Sequence, residues 1–252
     1  MSQTPDPDLL RRIEQAAVWA WPPSETRSVE GWLLCIGGRG TRRLRSARTL
    51  DFAPGADVGR AIAEVERVLG QRGWPACFHL ADLAEPAGLD DILAGRGYDL
   101  VTPTSVMQAA MPGLPVDEAV ELHTRATQPV MNAIADRHWS AEGRAERVEI
   151  FGRIRRPHRF ALAWVEGEPA AAGLCVREGD LAGIFAMRTQ ERFRGRGLAG
   201  RLLARLAGWA RGEGAISLYL QVEDENEPAQ ALYRRFGFRR LYGYHYRERA
   251  LP

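Results

Sequence analysis

Between Met187 and Leu206 the chain reads MRTQERFRGRGLAGRLLARL, an arginine-rich glycine turn that runs into a periodic apolar stretch. Glycines at 195 and 197 admit backbone angles that a β-carbon disfavours, and they clear room for a ligand to touch the main chain. Leu198, Leu202, Leu203, Leu206 and Trp209 recur at helical spacing. The turn therefore stands at a helix N-terminus, where unpaired N–H groups and the helix dipole favour an anion such as phosphate. Alone, such a glycine pattern also suits an ordinary loop. The preceding Leu181–Met187 reads as a short apolar strand, and the order strand, basic turn, helix favours a phosphate cradle. No Gly-Lys-Ser/Thr follows, which disfavours a nucleoside-triphosphate loop.

The elements that must position this turn recur along the chain. Leu9–Trp21 has helical periodicity and stops at Pro22-Pro23. Trp32–Ile36 and Leu44–Leu50 read as strands joined by the turn Gly37–Gly40, and Val58–Gln71 reads as a helix closed by glycines 70 and 73. A strand at Ala76–Leu80, a short helix at Leu89–Ala94 and one or two strands over Tyr98–Ala110 complete the first half. The second half replays this order. With residue n set beside n + 140, Leu34-Cys35 falls on Leu174-Cys175, Arg48-Thr49 on Arg188-Thr189 and Gly97-Tyr98 on Gly237-Phe238. The boundary falls in Met111–Pro115, giving halves of 1–112 and 113–252. Between the halves, Ala119–Leu122, Val130–Ile134 and a run from Arg144 have helical patterns and suggest a lid over a substrate.

Composition narrows the class. At 252 residues, 45% hydrophobic and 26% charged, the chain reads as a globular protein, and a net charge of +2 does not imply general nucleic-acid binding. Cys35, Cys77 and Cys175 are odd in number and lie in apolar runs, which suits buried reduced thiols and a cytoplasmic setting. MSQTPDPDLL has no signal-type apolar core, and no run approaches the roughly 20 apolar residues of a membrane span. The five histidines show no metal-ligand spacing, so no metal is expected.

Arg194-Gly195-Arg196-Gly197-Leu198-Ala199 matches the Gln/Arg-x-x-Gly-x-Gly/Ala pyrophosphate motif of the GNAT superfamily of acyl-CoA-dependent N-acyltransferases, which this chain resembles. About thirty residues on, Asn226-Glu227-Pro228-Ala229-Gln230-Ala231-Leu232-Tyr233 stands where that family carries Asn-x-x-Ala-x-x-Leu-Tyr. The resemblance is clear from about Phe160 to the end. It implies an α/β (α+β) protein of tandem GNAT-like folds, each a central mixed, mostly antiparallel sheet flanked by helices. It also implies acetyl-CoA as co-substrate and a small-molecule or peptide amine as acceptor; from charge and hydropathy, no nucleic acid or membrane partner is expected. Met187, Arg188 and Thr189 would offer backbone groups to the pantetheine arm. The N–H groups of Arg194, Gly195, Arg196, Gly197, Leu198 and Ala199 would hold the pyrophosphate, and Asn226 would bond the pantetheine amide. Tyr233 would bind the cofactor and protonate the leaving thiolate, which suits a phenol near pKa 10.

From the residues alone, Tyr233 also fits an amphipathic core position and Asn226 a helix cap. The base for the amine is expected at Glu223, then Asp224, then His138, with a solvated acidic turn as the plain alternative. A non-catalytic acyl-CoA-binding regulatory module and the transfer of another acyl group remain open, as do the acceptor and the oligomeric state. The first half lacks the cofactor features: Arg194 faces Pro54, Gly197 faces Asp57, Asn226 faces Pro86 and Tyr233 faces Leu93. A degenerate copy that packs against the active half is expected there.

Overall fold

In the computed structural model the described residues are 6–38, 40–111, 113, 115–135 and 139–251. The first half runs α1 (Pro7–Ala20), β1 (Glu25–Val29), β2 (Trp32–Ile36), β3 (Ala47–Arg48), α2 (Val58–Gly70), β4 (Ala76–Ala81), α3 (Leu89–Gly95) and β5 (Asp99–Ala110). The second runs β6 (Glu121–His123), α4 (Gln128–Ile134), α5 (Ala141–Arg153), β7 (His158–Val165), β8 (Glu168–Glu178) and β9 (Leu181–Thr189), then α6 (Leu198–Gly212), β10 (Ser217–Glu223), α7 (Glu227–Arg235) and β11 (Arg239–Arg249). The spacing of 140 holds at the element starts: α2 begins at Val58 and α6 at Leu198, β5 at Asp99 and β11 at Arg239.

All eleven strands form one sheet in the order β1-β2-β3-β4-β11-β5-β10-β9-β8-β7-β6. Pairing is antiparallel except at β3/β4 and β9/β10. The last strand of each half is exchanged: β11 lies between β4 and β5, and β5 lies between β11 and β10. The halves therefore share one sheet instead of carrying two.

Alternating side chains divide the core by face. On β10, Leu218, Leu220 and Val222 join a cluster with Leu198, Leu202, Leu203 and Leu206 of α6, while Tyr219 turns to the other face with Leu10, Ile13 and Ala17 of α1. Burying each leucine of α6 contributes about 1.5–3 kcal/mol, and this fixes the helix against the strands beside it. A third cluster packs Ile62, Val65 and Leu69 of α2 on β1–β4. Across the middle, Glu14 on α1 accepts from Arg48 at 2.6 Å and from the Tyr242 hydroxyl at 2.7 Å, all buried, tying α1 to β3 and to the exchanged β11.

Two sequence expectations give way. The strand expected over Leu44–Leu50 shrinks to Ala47–Arg48, because a 3-10 turn at Arg42–Leu44 carries Arg42 and Arg45 onto Glu248, at 3.0 and 2.9 Å. The helical pattern at Ala119–Leu122 is too short to nucleate. Asp117 instead bonds Ala119 N–H in a turn at 3.0 Å, and Glu121–His123 adds to the edge of β7. The helices expected as a lid are packed in the core, with Val130 and Ile134 of α4 and Ile150 and Phe151 of α5 buried around Phe160 and Leu174. His138, together with Pro112 and Leu114 of the segment between the halves, lies outside the described residues.

Candidate active site

The glycine turn and α6 are arranged as the spacing predicts. Gly195 and Gly197 have φ of +77° and +72°, and a β-carbon on either would meet open space. Buried Phe193 anchors the turn from below, with the guanidinium groups of Arg192 and Arg196 over its ring at 4.7 and 5.6 Å. Arg192 pairs with Glu168, and Arg196 with Glu166 at 3.3 Å, so the turn is braced on the β7–β8 connection. The helix end is open. Gly200 and Arg201 N–H bond back to Gly197, but among the described residues the N–H groups of Gly195, Arg196, Gly197, Leu198 and Ala199 have no partner, and no side chain caps α6.

The equivalent end of α2 is closed. Gly55 repeats the turn conformation of Gly195, with φ of +78°. Two residues on, however, Asp57 places its carboxylate on Arg60 N–H at 2.7 Å, where an anionic ligand would otherwise sit.

The strands beside the two turns differ in the same sense. β9 and β10 pair only from Leu181/Ser217 to Ile184/Leu220. Beyond that the β9–β10 pairing ends, and Arg188 and Thr189 pair with Ala172 and Ala171 of β8. At the parting point Ala186 (φ +50°) and Met187 stand opposite the single residue Gly173, a β-bulge. A β-carbon on Gly173 would lie 2.3 Å from Met187 Sδ. In the first half, Ala47 and Arg48 pair with Phe78 and His79 of β4, and Thr49 O accepts from Glu85 N–H at 2.6 Å. The cleft is sealed there.

α7 brings in the second motif. Gly200, on the first turn of α6, has no side chain, and a β-carbon there would lie 2.7 Å from Phe236 Cζ, so α7 packs directly on the turn. Asn226 caps α7, its side-chain oxygen accepting from Ala229 N–H at 3.2 Å, which leaves its NH2 free of that task. Tyr233 is 8% exposed and packs on Phe238 with Phe193 and Leu198 in the same cluster. Burial pushes its phenol up to about 12. Among the described residues its hydroxyl makes no hydrogen bond.

Glu223 stands at the end of β10, exposed, on the wall of a polar cavity of about 340 Å³. Asp224 is engaged elsewhere, accepting from Ser105 Oγ at 2.6 Å. No hydrogen bond joins Glu223 to Tyr233 among the described residues. The cavity is built from both halves: Arg42 and Arg43 of the first, Arg147 of α5, Gln221 and Glu223 of β10, and Tyr244 of β11. Arg43 donates to Gln221 Oε1 at 2.6 Å and lies 5.7 Å from the ring of Phe185, the first residue past the β9–β10 pairing. The cavity thus adjoins the parted strands. Sequence reasoning passed over Arg43, Arg147 and Gln221; the run Arg42-Arg43-Leu44-Arg45 after the glycine turn was the available signal.

The three cysteines are buried free thiols, and burial raises the Cys175 thiol well above its ordinary range, which disfavours a nucleophilic thiolate. Among the described residues no cluster of His, Cys, Asp and Glu is arranged to hold a metal, and no helix is long and apolar enough to cross a membrane.

Residues 8–249 match the family model described as "Probable histone acetyltransferase Rv0428c C-terminal". The chain is 29% identical over 247 residues to "Uncharacterized N-acetyltransferase YobR" of Bacillus subtilis (strain 168), spanning 95% of this chain and 98% of that protein. A GCN5-related N-acetyltransferase structure from Kribbella flavida is similar, with a TM-score of 0.70 and 17% identity over 96% of this chain and 95% of that one. A tandem GNAT protein from the clavulanic acid biosynthesis pathway superposes with a TM-score of 0.63 and 14% identity over 95% and 88%. At these identities the two structures speak for the fold.

Proposed function

The chain belongs to the family of that acetyltransferase C-terminal model and to the GNAT superfamily of N-acetyltransferases, and on this premise we propose that it moves an acetyl group from acetyl-CoA to a primary amine by direct attack. The observation that carries the reading is the uncapped N-terminus of α6, with five consecutive open N–H groups beside strands that have already parted. Such an end suits a diphosphate. Arg194, Gly195, Arg196, Gly197, Leu198 and Ala199 would hold the pyrophosphate. Met187, Arg188 and Thr189, beyond the end of the β9–β10 pairing, would offer backbone groups to the pantetheine arm, and the Asn226 NH2 would meet its amide.

In the reaction Glu223 takes a proton from the ammonium form of the acceptor. The neutral nitrogen attacks the thioester carbonyl, whose oxygen is polarised by a strand N–H at the bulge. The carbon–sulfur bond breaks, Tyr233 gives its proton to the departing thiolate, and the second proton, shed by the nitrogen as the amide forms, returns to the Tyr233 phenolate. Acetamide, free thiol and the proton first removed account for every atom. A phenol raised by burial remains protonated at neutral pH and so is available as the acid.

The same comparison of turns supports reading residues 113–252 as the cofactor-binding unit and 1–112 as a degenerate copy, its cradle filled by Asp57 and its cleft closed by β4. The test is thiol release from acetyl-CoA across a panel of amines, with the product identified by mass spectrometry. One thiol released per acetamide formed is expected. Cofactor binding without turnover on any amine would favour a regulatory module instead.

A further inference from the structure

Among the described residues the polar cavity is lined by four arginines, Arg42, Arg43, Arg45 and Arg147, and one carboxylate, Glu223. Arg42 and Arg45 share a single carboxylate, Glu248, and Arg147 feels that of its neighbour Glu146. Among the described residues Arg43 makes no ion pair: it donates to the neutral Gln221 amide and lies 5.9 Å from the Trp21 ring and 5.7 Å from that of Phe185. A guanidinium has five N–H donors, so bonds to Gln221 and Tyr244 leave others for a ligand. Arg147 stacks 3.9 Å over Trp139 and donates to Gly143 O at 3.3 Å, and its neighbour Glu146 accepts from the N–H of the cavity residue Gly40 at 3.2 Å. Arg43 and Arg147 are half-buried on the cavity wall, and for Arg43 an anionic ligand would supply the counter-ion it lacks among the described residues.

Gln221 adds a third donor. Its oxygen accepts from Arg43, which leaves its Nε2 buried with no partner. Gln221 and Glu223 are two residues apart on β10 and so share a face, roughly 7 Å apart along the strand. One small molecule can span that distance, with an anionic end toward Gln221 and an amine toward Glu223.

Resting on the acyltransferase reading above, we propose that the acceptor is a small amine bearing an anionic oxygen group, a carboxylate or a phosphate, held by Arg43, Arg147 and Gln221. A lysine-rich peptide would bring cations into a cavity that already carries an excess of them. The step itself is unchanged: the amine attacks, the thiol leaves, and the anionic group stays intact.

Binding to the CoA-loaded protein, and initial acetylation rates, would be measured for matched probes: L-phenylalanine with phenethylamine, 2-aminoethyl phosphate with ethanolamine, and a lysine-rich peptide. The anionic member of at least one pair should bind roughly tenfold or more tightly, as expected for charge-assisted hydrogen bonds, and which pair responds distinguishes carboxylate from phosphate. Arg43→Gln should bring that ratio close to one with CoA affinity unchanged, while Arg43→Lys, which keeps the charge, should retain part of it. Equal binding of both members, stronger binding of the peptide, a preference that survives Arg43→Gln, or no binding by any anionic probe would each overturn the proposal. Anionic probes that bind a protein unable to take up CoA would leave the cavity standing and remove the acyltransferase reading. CoA uptake without any anionic preference would do the reverse.

Discussion

Replacing Gly197 by aspartate would give α6 the group that already closes α2. A carboxylate there lies within the hydrogen-bonding shell of the open N–H groups, as Asp57 does with Arg60 N–H at 2.7 Å. At roughly 5 Å from a diphosphate, with an effective dielectric of about 40–80, each pair of unit charges repels by about 0.8–1.7 kcal/mol. Two phosphate charges raise this to about 2–3 kcal/mol, a loss of roughly 30- to 150-fold in CoA affinity. Gly197 has φ of +72°, so any side chain adds a conformational cost, but asparagine shares most of it and tolerates that region comparably. Gly197→Asn is therefore the control, and the Asp-to-Asn ratio isolates the charge. Calorimetric titration with CoA at low and high salt measures it. The ratio should shrink as salt rises, since the repulsion is screened. Equal affinities for the two variants, or an Asp variant as tight as the wild type, would refute the anion-cradle argument.

Tyr233→Phe should lower kcat at least tenfold with CoA affinity within about twofold and stability within about 0.5 kcal/mol, because its hydroxyl supports no described hydrogen bond. An acid must be protonated to act, and with Tyr233 pushed up to about 12 the wild-type rate should show no fall from this group below about pH 11. Glu223→Gln should lower kcat near neutral pH and recover at higher pH, where the amine sheds its proton unaided; an unchanged pH–rate profile would remove Glu223 as the base. Away from the site, Asp90 on α3 accepts from Arg247 at 2.7 Å and from His245 at 2.8 Å on β11, and these bonds lower its carboxyl to about 2. Its contribution is thus complete above the unfolded value of about 3.9 and is lost as pH falls through about 2. The side chain is 43% exposed, so Asp90→Asn should cost only about 1 kcal/mol at pH 7, a difference in urea unfolding that vanishes near pH 2.

Much of the second half was legible because its signals are local. The apolar spacing from Leu198 to Leu206 fixes α6, two glycines fix the turn, and Asn226 followed by Pro228 marks the start of α7. What escaped is what depends on residues distant in sequence. The Arg43–Gln221 contact spans 178 positions, and nothing in either segment announces the other. The exchange of β5 and β11 is equally invisible to periodicity, because an exchanged strand has the same alternation as one that stays at home. β6 was misread for a related reason: three residues added to a sheet edge carry too short a pattern to tell strand from helix.

The chain contains no lysine, so acetyl groups transferred to side-chain amines can only be found on added acceptors. The central claim, one working cofactor site in a doubled fold, is tested most directly by the stoichiometry of acetyl-CoA binding to the full chain by calorimetry. The account predicts one site per chain, weakened roughly 30- to 150-fold in Gly197→Asp and unaffected by Asp57→Asn. Two sites would show that the first half also holds cofactor, and no binding would contradict the acetyl-CoA-dependent reading itself.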